Sequence, residues 1–173
     1  RDAVQANGLR NVCVEPLGVS EQLGKLVLAI PGSKAGSPGA SLETKVLARP
    51  DASSIEVGVT SLDAYFANEK RRVGAIKIDV EGHELAVLRG AKELIRRDAP
   101  TIVCECEGRN VAGGNVRALF DLLAKLDYRG HFVHRQRLKS VEQFDPSVHQ
   151  SRQGKRFWDH PDYCNNFVFR PAA

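Results

Sequence analysis

The 173-residue sequence contains no methionine, a single tryptophan and few aromatic residues of any kind. Because an initiating methionine is absent, we expect the natural protein to continue upstream of Arg1. The sequence also lacks a run of about 18 apolar residues, and it does not open with the charged-then-apolar order of a secretory signal. These absences argue against a membrane-spanning segment and predict a cytoplasmic protein.

Cysteine is scarce, and its spacing argues against a structural zinc site. The four residues, Cys13, Cys104, Cys106 and Cys164, lack the paired C-x-x-C spacing that such sites use. Unpaired cysteine is among the most frequently buried residue types in folded proteins. We therefore expect four free thiols in the interior.

A concentrated stretch of one charge sign is absent as well. The net charge is +4 and the isoelectric point is near 9.0, but the basic residues are spread along the chain. Their densest runs, residues 134–140 and 151–156, contain few aromatic residues on which bases could stack. We interpret these charges as solvated surface and expect no nucleic-acid partner.

What the sequence does contain is an alternation of strand and helix patterns. A balance of 42% hydrophobic and 27% charged residues suits one globular domain covering residues 1–173. The segments NVCVEPLGV, KLVLAI, SIEVGV, AIKIDV and TIVCECE predict strands, and HELAVLRGAKELIRR and NVRALFDLLAKL predict amphipathic helices. Residues 31–41, rich in glycine, proline and serine, predict a loop. Short connections between such elements are typical of a parallel α/β sheet covered on both faces.

Carboxylates follow two neighbouring strands of this predicted sheet. In IKIDVEGHE, strand alternation places Lys77, Asp79 and Glu81 on one side. The next parallel strand ends in the same way, with Glu105 and Glu107. Ligands of open α/β sheets bind beyond the carboxyl ends of the strands. Asp79, Glu81 and Glu105 are therefore the candidate catalytic residues.

Three kinds of chemistry suit these carboxylates: a general base for a hydroxyl, oxygen ligands for a hard cation, or acceptors for a cationic cofactor. The alternative is capping of the helix that follows, at its positive N-terminus. We favour capping for Glu84 and function for Asp79, since a carboxylate inside a buried strand needs compensation. Gly82 is interpreted as a hinge and His83 as polar surface.

The stretch IKIDVEGHELAVLRGA resembles the signature of the FkbM-type methyltransferase family, K-I-D-V-E-G-x-E followed by x-x-V-L-x-G-A. Four further segments resemble the family in the same order: NGLRNVCVEPLGVSEQLGKLVL, GSPGASL, TSLDAYF and APTIVCECEG. The resemblance implies a Rossmann-like class I methyltransferase sheet and an S-adenosylmethionine-dependent O-methyltransferase. It also implies a small-molecule or glycan acceptor whose hydroxyl belongs to a sugar, glycan, lipid or polyketide.

The same resemblance implies roles for individual residues. Gly18, Val19 and Ser20, after the family's third strand, would lie near the adenine of the cofactor, and Asp79 would lie beside the methyl donor. Methyl transfer requires an aligned acceptor oxygen that loses its proton. Asp79 is thus the first candidate for deprotonating that hydroxyl or holding a metal, and Glu105 is the second.

The sequence departs from the family at its N-terminal side. The Gly-rich turn after the first strand and the acidic residue after the second, which bind the cofactor in the family, are both missing. The family's strand order is 3-2-1-4-5-7-6, so the sheet should lack its first two strands and leave NVCVEPL without a neighbour. We expect either the C-terminal portion of a longer enzyme or a chain that completes its sheet in another way.

Two functions of other classes stay open. In the first, the chain is a non-catalytic α/β interaction module whose acids are structural and whose open sheet edge is completed by another chain. In the second, it is a metal-dependent hydrolase in which Asp79, Glu81 and Glu105 hold a divalent ion. Homo-oligomerisation stays open in every case.

The missing N-terminal features lead to a direct prediction. We expect these 173 residues alone to bind S-adenosylmethionine weakly or not at all, because the two segments that would hold its ribose and carboxylate are absent. Titration calorimetry measures this affinity. A dissociation constant in the low-micromolar range would contradict the prediction.

Overall fold

The computed structural model describes residues 1–32, 39–43, 50–111 and 114–172, so part of the predicted 31–41 loop lies outside the described residues. The strands are β1 (Gly18–Val19), β2 (Gly24–Ile30), β3 (Ser53–Thr60), β4 (Ala75–Ile78), β5 (Thr101–Glu105), β6 (Tyr128–His134), β7 (Arg137–Ser140) and β8 (Asn166–Pro171). The helices are α1 (Asp2–Ala6), α2 (Leu62–Tyr65), α3 (Glu84–Arg89), α4 (Lys92–Asp98), α5 (Arg117–Ala124) and α6 (Pro146–His149). Within the described ranges, no helix is long and apolar enough to cross a membrane.

The strands form two sheets. The larger has the order β4-β5-β8-β6-β7, with β4 and β5 parallel and the remaining neighbours antiparallel. The smaller has the order β1-β3-β2, with β1 parallel and β2 antiparallel to β3. The predicted mixture of helices and strands is confirmed. The prediction of a parallel sheet is confirmed for β4 and β5 and is wrong for the rest of the larger sheet, because β6 and β7 form a hairpin and β8 returns antiparallel beside β5.

The predicted strand NVCVEPLGV is mostly wrong. Residues 11–17 have no regular secondary structure, and only Gly18–Val19 pairs with another strand. That partner is the end of β3, whose other edge is occupied by β2. The segment therefore has a neighbour after all, but in the smaller sheet and not beside β4.

The core lies on the larger sheet and is rich in phenylalanine. Phe132 and Phe167 on β6 and β8 are fully buried, as is Phe144. Phe120 of α5 meets Phe167 edge-to-face with ring centroids 4.9 Å apart, and it meets Phe144 at 5.7 Å. Such geometry adds about 0.5–1.5 kcal/mol per aromatic pair beyond area burial. The cluster holds β6 and β8 in place beside β5.

The helix predicted after the acidic motif is two helices that share one apolar stripe. The spacing predicts a stripe of Leu85, Leu88, Ala91 and Leu94 or Ile95. All of these are buried except Leu85, which is half-buried, and the helix breaks between α3 and α4. At the break, a Cβ on Gly90 would lie 2.3 Å from the backbone oxygen of Ser20. Glycine is required there because the end of α3 touches the chain just after β1.

The prediction for the cysteines is confirmed for three of them. Cys104, Cys106 and Cys164 are free and buried, whereas Cys13 is free and exposed on the irregular 11–17 segment. Burial raises the pKa of Cys104 and Cys106 well above the ordinary thiol value. These two thiols are therefore protonated and chemically inert at neutral pH.

His149 is buried among aromatic rings. Its ring stacks on Phe144 at 5.3 Å and meets Phe132 edge-on at 4.8 Å. Its Nδ1 accepts a hydrogen bond of 2.9 Å from the backbone N–H of Asp145. Burial, with the charge of nearby His134 as the second cause, lowers the pKa of His149 below the ordinary 6.5. The ring is neutral near pH 7 and resists protonation.

Protonation of His149 should therefore weaken the fold in acid. Its folded-state pKa is depressed, so the unfolded chain binds more protons as the pH falls below about 6.5, and stability falls by up to about 1.4 kcal/mol per pH unit. We expect His149→Phe to flatten this dependence in denaturant titrations between about pH 5 and about pH 7.5. His160→Gln, which changes an exposed histidine, serves as the control. A wild-type slope in His149→Phe would contradict the assignment.

Candidate functional site

The motif turn, residues 79–83, joins β4 to α3 through an uncommon backbone path. Glu81 has a φ of 52° and Gly82 a φ of 108°. The left-handed conformation costs a non-glycine residue about 1 kcal/mol or more. A Cβ on Gly82 would lie 2.4 Å from the backbone oxygen of Asn110. The prediction that Gly82 lets the chain turn sharply is confirmed. The turn is fixed because Gly82 packs against Asn110 in the segment after β5.

Asp79 stands at the junction of two cavities. It follows β4 directly, its side chain is 52% exposed, and its Oδ2 lies 3.5 Å from Lys77 Nζ. Both the larger and the smaller cavity include Asp79 in their lining. The expectation of a buried Asp79 is wrong, because the strand ends at Ile78. Asp79 is a candidate functional residue because it lies between the two cavities, and not because it is buried.

The larger cavity, called here the groove, has a volume of about 530 Å³. Its floor is one face of the smaller sheet, formed by Leu28 and Val57. Val57 pairs with Leu26, and Leu26 and Leu28 are two residues apart on β2, so all three side chains lie on the same face. The walls come from residues 15–19, residues 40–42 and the start of the motif turn. Apolar side chains dominate the lining, and the groove falls within the size range of small-molecule sites, roughly 300–1,000 Å³.

Three of the four predicted cofactor-site residues meet in the groove. Gly18, Val19 and Asp79 line it, whereas Ser20 does not. Ser20 is only 6% exposed, and its Oγ lies 2.9 Å from Nε2 of His83. The strand-end position of Ser20 is as expected, but the side chain points into the protein.

Glu15 is a groove residue that sequence reasoning did not select. Its carboxylate accepts hydrogen bonds from the Cys13 thiol at 3.1 Å and the Tyr65 hydroxyl at 3.0 Å. These two bonds, the Cys13 bond first, lower the pKa of Glu15 below its ordinary value. An ionised acceptor thus stands on the groove rim. The only sequence signal was the Glu-Pro pair, and Glu15 lies in the irregular 11–17 segment that was predicted to be a strand.

The smaller cavity, called here the acidic chamber, has a volume of about 20 Å³, room for about one water molecule. It lies where the carboxyl ends of β4 and β5 meet, as their predicted parallel pairing requires. The candidate catalytic residues Asp79, Glu81 and Glu105 all line it. The remaining lining residues are Glu84, Glu107, Arg109 and Asn110.

Donor side chains offset part of the repulsion between these acids. Asn110 Nδ2 donates to Glu81 Oε2 at 2.8 Å, and Arg109 forms an ion pair with Glu107. Asn165 Nδ2 donates to both Glu105 Oε1, at 2.9 Å, and Glu107 Oε1, at 3.1 Å. The two asparagines carry no sequence signal, because they come from segments outside the motif.

Glu81 and Glu105 have raised pKa values. For each of them burial is the larger cause, and the negative charge of Asp79 is the next. Carboxyl groups whose pKa values are shifted toward neutrality exchange protons more readily near neutral pH. Burial and the neighbouring negative charge therefore favour the protonated form of these two carboxyl groups.

Glu84 has an environment that helix capping does not explain. It lies in the first turn of α3, yet it is only 2% exposed, and its Oε1 accepts from the backbone N–H of Gly82 at 2.8 Å. Its Oε2 is buried without a hydrogen-bond partner among the described residues. Burial raises the pKa of Glu84. The carboxyl group therefore supports the motif turn and is unfavourable there when ionised.

Glu84→Gln should stabilise the fold at high pH relative to the wild type. The folded-state pKa lies above the ordinary 4.5, so the favourable contribution of protonated Glu84 is lost as the pH rises through the folded value. Glutamine keeps the Oε1 acceptor without the charge. Thermal unfolding at about pH 5 and about pH 8 should show the variant gaining relative to the wild type as the pH rises. Glu142→Gln, at an exposed position, should show no such gain; a pH-independent effect of Glu84→Gln would contradict the argument.

The chamber does not have the geometry of a metal site. Across the described part of the chain, no group of three or more histidine, cysteine, aspartate or glutamate side chains could hold a metal ion. The metal-dependent hydrolase alternative thus finds no support in the arrangement of Asp79, Glu81 and Glu105.

His83 was expected to be polar surface, and this expectation is wrong. The residue is 9% exposed, and its ring lies between Ser20 and Glu43. The helix start that seemed to face solvent is covered by the 39–43 segment, which approaches it from elsewhere in the chain. The presence of a histidine inside the acidic motif was a signal that His83 could be functional. Its burial could not be predicted, because its two partners lie 63 and 40 residues away in sequence.

The segment 157–166 borders the acidic chamber. The Arg109 guanidinium lies 5.5 Å from the ring centroid of Phe157, which in turn meets Tyr163 at 5.3 Å. Asn165 of the same segment bonds to the chamber acids. The chamber is thus flanked by a polar and aromatic wall.

The domain thus combines an α/β fold, a groove on one face of the smaller sheet and an acidic motif turn after β4. The model of the methyltransferase FkbM domain matches residues 5–130 of the chain. The match covers well over half of the sequence and includes both the motif turn and β5. The chain belongs to the FkbM methyltransferase domain family.

A solved structure has a similar fold. It is the methyltransferase FkbM from Methylobacillus flagellatus KT, with a TM-score of 0.50 and 15% sequence identity. The similarity covers 97% of this chain and 32% of that one, so this chain spans about a third of the length of its structural relative. No curated protein matches the sequence.

Proposed function

We propose that this chain forms part of an S-adenosylmethionine-dependent O-methyltransferase. The observation that carries the proposal is the position of Asp79 on the shared rim of the groove and the acidic chamber. A methyl donor bound in the groove and an acceptor hydroxyl at the acidic chamber would meet at the Asp79 side chain. Membership of the FkbM methyltransferase domain family supports the same reaction.

The groove residues fit the cofactor. The apolar surfaces of Leu17, Val19 and Val57 suit an adenine ring. The ionised Glu15 carboxylate would accept hydrogen bonds from ribose hydroxyls, in place of the acid that is missing after the family's second strand. When bound, S-adenosylmethionine supplies a methyl group activated on a sulfonium. The chain's own part is to position that group and to exclude water from it.

Asp79 would hold the acceptor hydroxyl and take its proton. A general base must lie within hydrogen-bond reach of the proton it removes, and general-base catalysis contributes about 10²- to 10⁴-fold. Lys77 Nζ lies 3.5 Å from Asp79 Oδ2 and forms an ion pair with it. Glu81 and Glu105, beside Asp79 in the chamber, are the second candidates for receiving the proton.

The acceptor would approach from the side of segment 157–166. Phe157 and Tyr163 offer aromatic surface there, and the Arg109 guanidinium has N–H donors beyond the one that it uses in its ion pair with Glu107. This mixture suits a hydroxyl carried on a sugar, glycan, lipid or polyketide, since each presents a polar group on a less polar frame.

The strand order supports a class I methyltransferase sheet that lacks its first two strands here. In the larger sheet, β8 lies antiparallel between β5 and β6. The order β4-β5-β8-β6 thus corresponds to the 4-5-7-6 half of the family's strand order. The β4 strand, on the edge of the larger sheet, lies where the family's first strand would pair.

An interaction module is the second candidate. The open edge of β4 and the exposed apolar residues Leu26, Val27 and Ile55 on the smaller sheet each favour a partner chain. Such a module would bind its partner without requiring the carboxylate of Asp79.

The test is Asp79→Asn in the complete gene product. We expect kcat for methyl transfer to fall by about 10²- to 10⁴-fold, because asparagine cannot accept the proton. The affinity for S-adenosylhomocysteine, measured by calorimetry, should change by no more than a few-fold, since asparagine keeps the size of the side chain.

Asp121→Asn, which changes an exposed acid on α5, is the matched control and should keep full activity. Unchanged methyl transfer in Asp79→Asn would refute the catalytic assignment. Failure of the wild-type gene product to bind S-adenosylhomocysteine would refute the methyltransferase proposal and favour the interaction module.

A further inference from the structure

Three side chains form a hydrogen-bonded bridge behind the groove, called here the His83 clamp. Ser20 Oγ lies 2.9 Å from His83 Nε2, and His83 Nδ1 lies 2.8 Å from Glu43 Oε1. Ser20 directly follows β1, His83 belongs to the motif turn and Glu43 to the 39–43 segment. One imidazole thus joins three parts of the chain that share no secondary structure.

The chemistry of the partners fixes how the ring is used. A carboxylate only accepts hydrogen bonds, so Nδ1 of His83 donates to Glu43. In this tautomer, Nε2 accepts a hydrogen bond from the Ser20 hydroxyl. Both ring nitrogens are satisfied, and the ring is held in one orientation. Buried networks that are fully satisfied in this way are rigid.

A second set of bonds attaches the 39–43 segment to the same place. Ser41 Oγ donates to the backbone oxygen of Glu81 at 2.7 Å and accepts from the backbone N–H of Glu43 at 3.0 Å. The backbones of Ser41 and Ala29 exchange two hydrogen bonds, of 2.8 and 2.9 Å. The segment is therefore held to the motif turn on one side and to β2 on the other.

The clamp stands behind the walls of the groove without entering it. Ala40, Ser41 and Leu42 line the groove, as does Asp79, but His83 and Glu43 do not. A change at Glu43 removes no direct contact with a molecule in the groove. Any effect of such a change on binding must therefore come from a shift of residues 40–42, which line the groove.

We propose that His83 is a positioning residue, which together with Glu43 and Ser20 holds the 39–43 wall against the motif turn and so sets the shape of the methyl-donor groove. The inference rests on the proposed function, since it takes the groove to be the cofactor site. It assigns a role to the histidine of the acidic motif that differs from catalysis.

A serine–histidine–glutamate arrangement also occurs in hydrolases, where serine is the nucleophile. Ser20 lacks the access that this role needs. It is 6% exposed, it does not line the groove, and its backbone oxygen is packed against Gly90. The backbone N–H of Ser20 is bonded to the oxygen of Thr60 at 2.8 Å, so it is not free to stabilise an oxyanion.

Glu43 offers a matched pair of variants in the complete gene product. Glu43→Ala removes the acceptor for His83 Nδ1, whereas Glu43→Gln keeps a side-chain oxygen that can accept the same bond. We expect Glu43→Ala to weaken S-adenosylhomocysteine binding by about tenfold, the equivalent of one hydrogen bond of about 1.4 kcal/mol. Glu43→Gln should stay within about threefold of the wild type.

Two further readouts separate positioning from general stability. In Glu43→Ala, KM for S-adenosylmethionine should rise about tenfold with kcat at saturating donor nearly unchanged. Hydrogen exchange at the Ser41 amide, which is bonded to Ala29, should accelerate in the alanine variant and not in the glutamine variant. His83→Phe, which keeps a ring and loses both bonds, should behave as Glu43→Ala does.

The inference fails if Glu43→Ala binds S-adenosylhomocysteine with wild-type affinity, or if Ser41 exchange is the same in all variants. It also fails if a fluorophosphonate probe labels Ser20, because the serine would then be an accessible nucleophile. Absence of cofactor binding by the wild type would instead refute the proposed function, and Ser41 exchange would still test the clamp.

Discussion

The parallel pairing of β4 with β5 is the constraint on which the candidate site depends. Its register sets Ile78 opposite Cys104, so the two strands end side by side and their acids converge on one small chamber. The phenylalanine cluster beneath β6 and β8 holds this pairing in place by fixing β8 against β5. Without that order of strands, Asp79 and Glu105 would be unrelated surface residues.

Bringing several carboxylates together is unfavourable, and the surrounding structure offsets the cost. Arg109, Asn110 and Asn165 provide donors, and the left-handed Glu81 is held by the contact between Gly82 and Asn110. The uncompensated part of the cost remains as raised pKa values and as a Glu84 oxygen that has no hydrogen-bond partner within the described parts of the chain. Strain and perturbed acids in one place are typical of functional sites, where local stability is lower than elsewhere in the fold.

Much of this arrangement followed from local patterns. The strands β4 and β5, the apolar stripe of α3 and α4, and the hinge at Gly82 each depend on residues close in sequence, and all were predicted. The predictions failed where the outcome depends on distant partners. The parallel arrangement does not extend beyond β4 and β5, because β8 inserts in reverse between β5 and β6. The predicted strand NVCVEPLGV is mostly absent, because its short paired part joins the edge of β3.

The resemblance of the acidic motif to a family signature was visible in the sequence by itself, and the family match confirms it. The sequence also determined the position of the acidic motif at a strand end and the identity of the candidate acids, because strand alternation and glycine conformation act over a few residues. Only the tertiary structure decided that Asp79 is exposed between two cavities and that His83 is buried. Burial and hydrogen bonding arise from contacts such as that between His83 and Glu43, 40 residues apart, and no local pattern encodes which distant segment will cover a side chain.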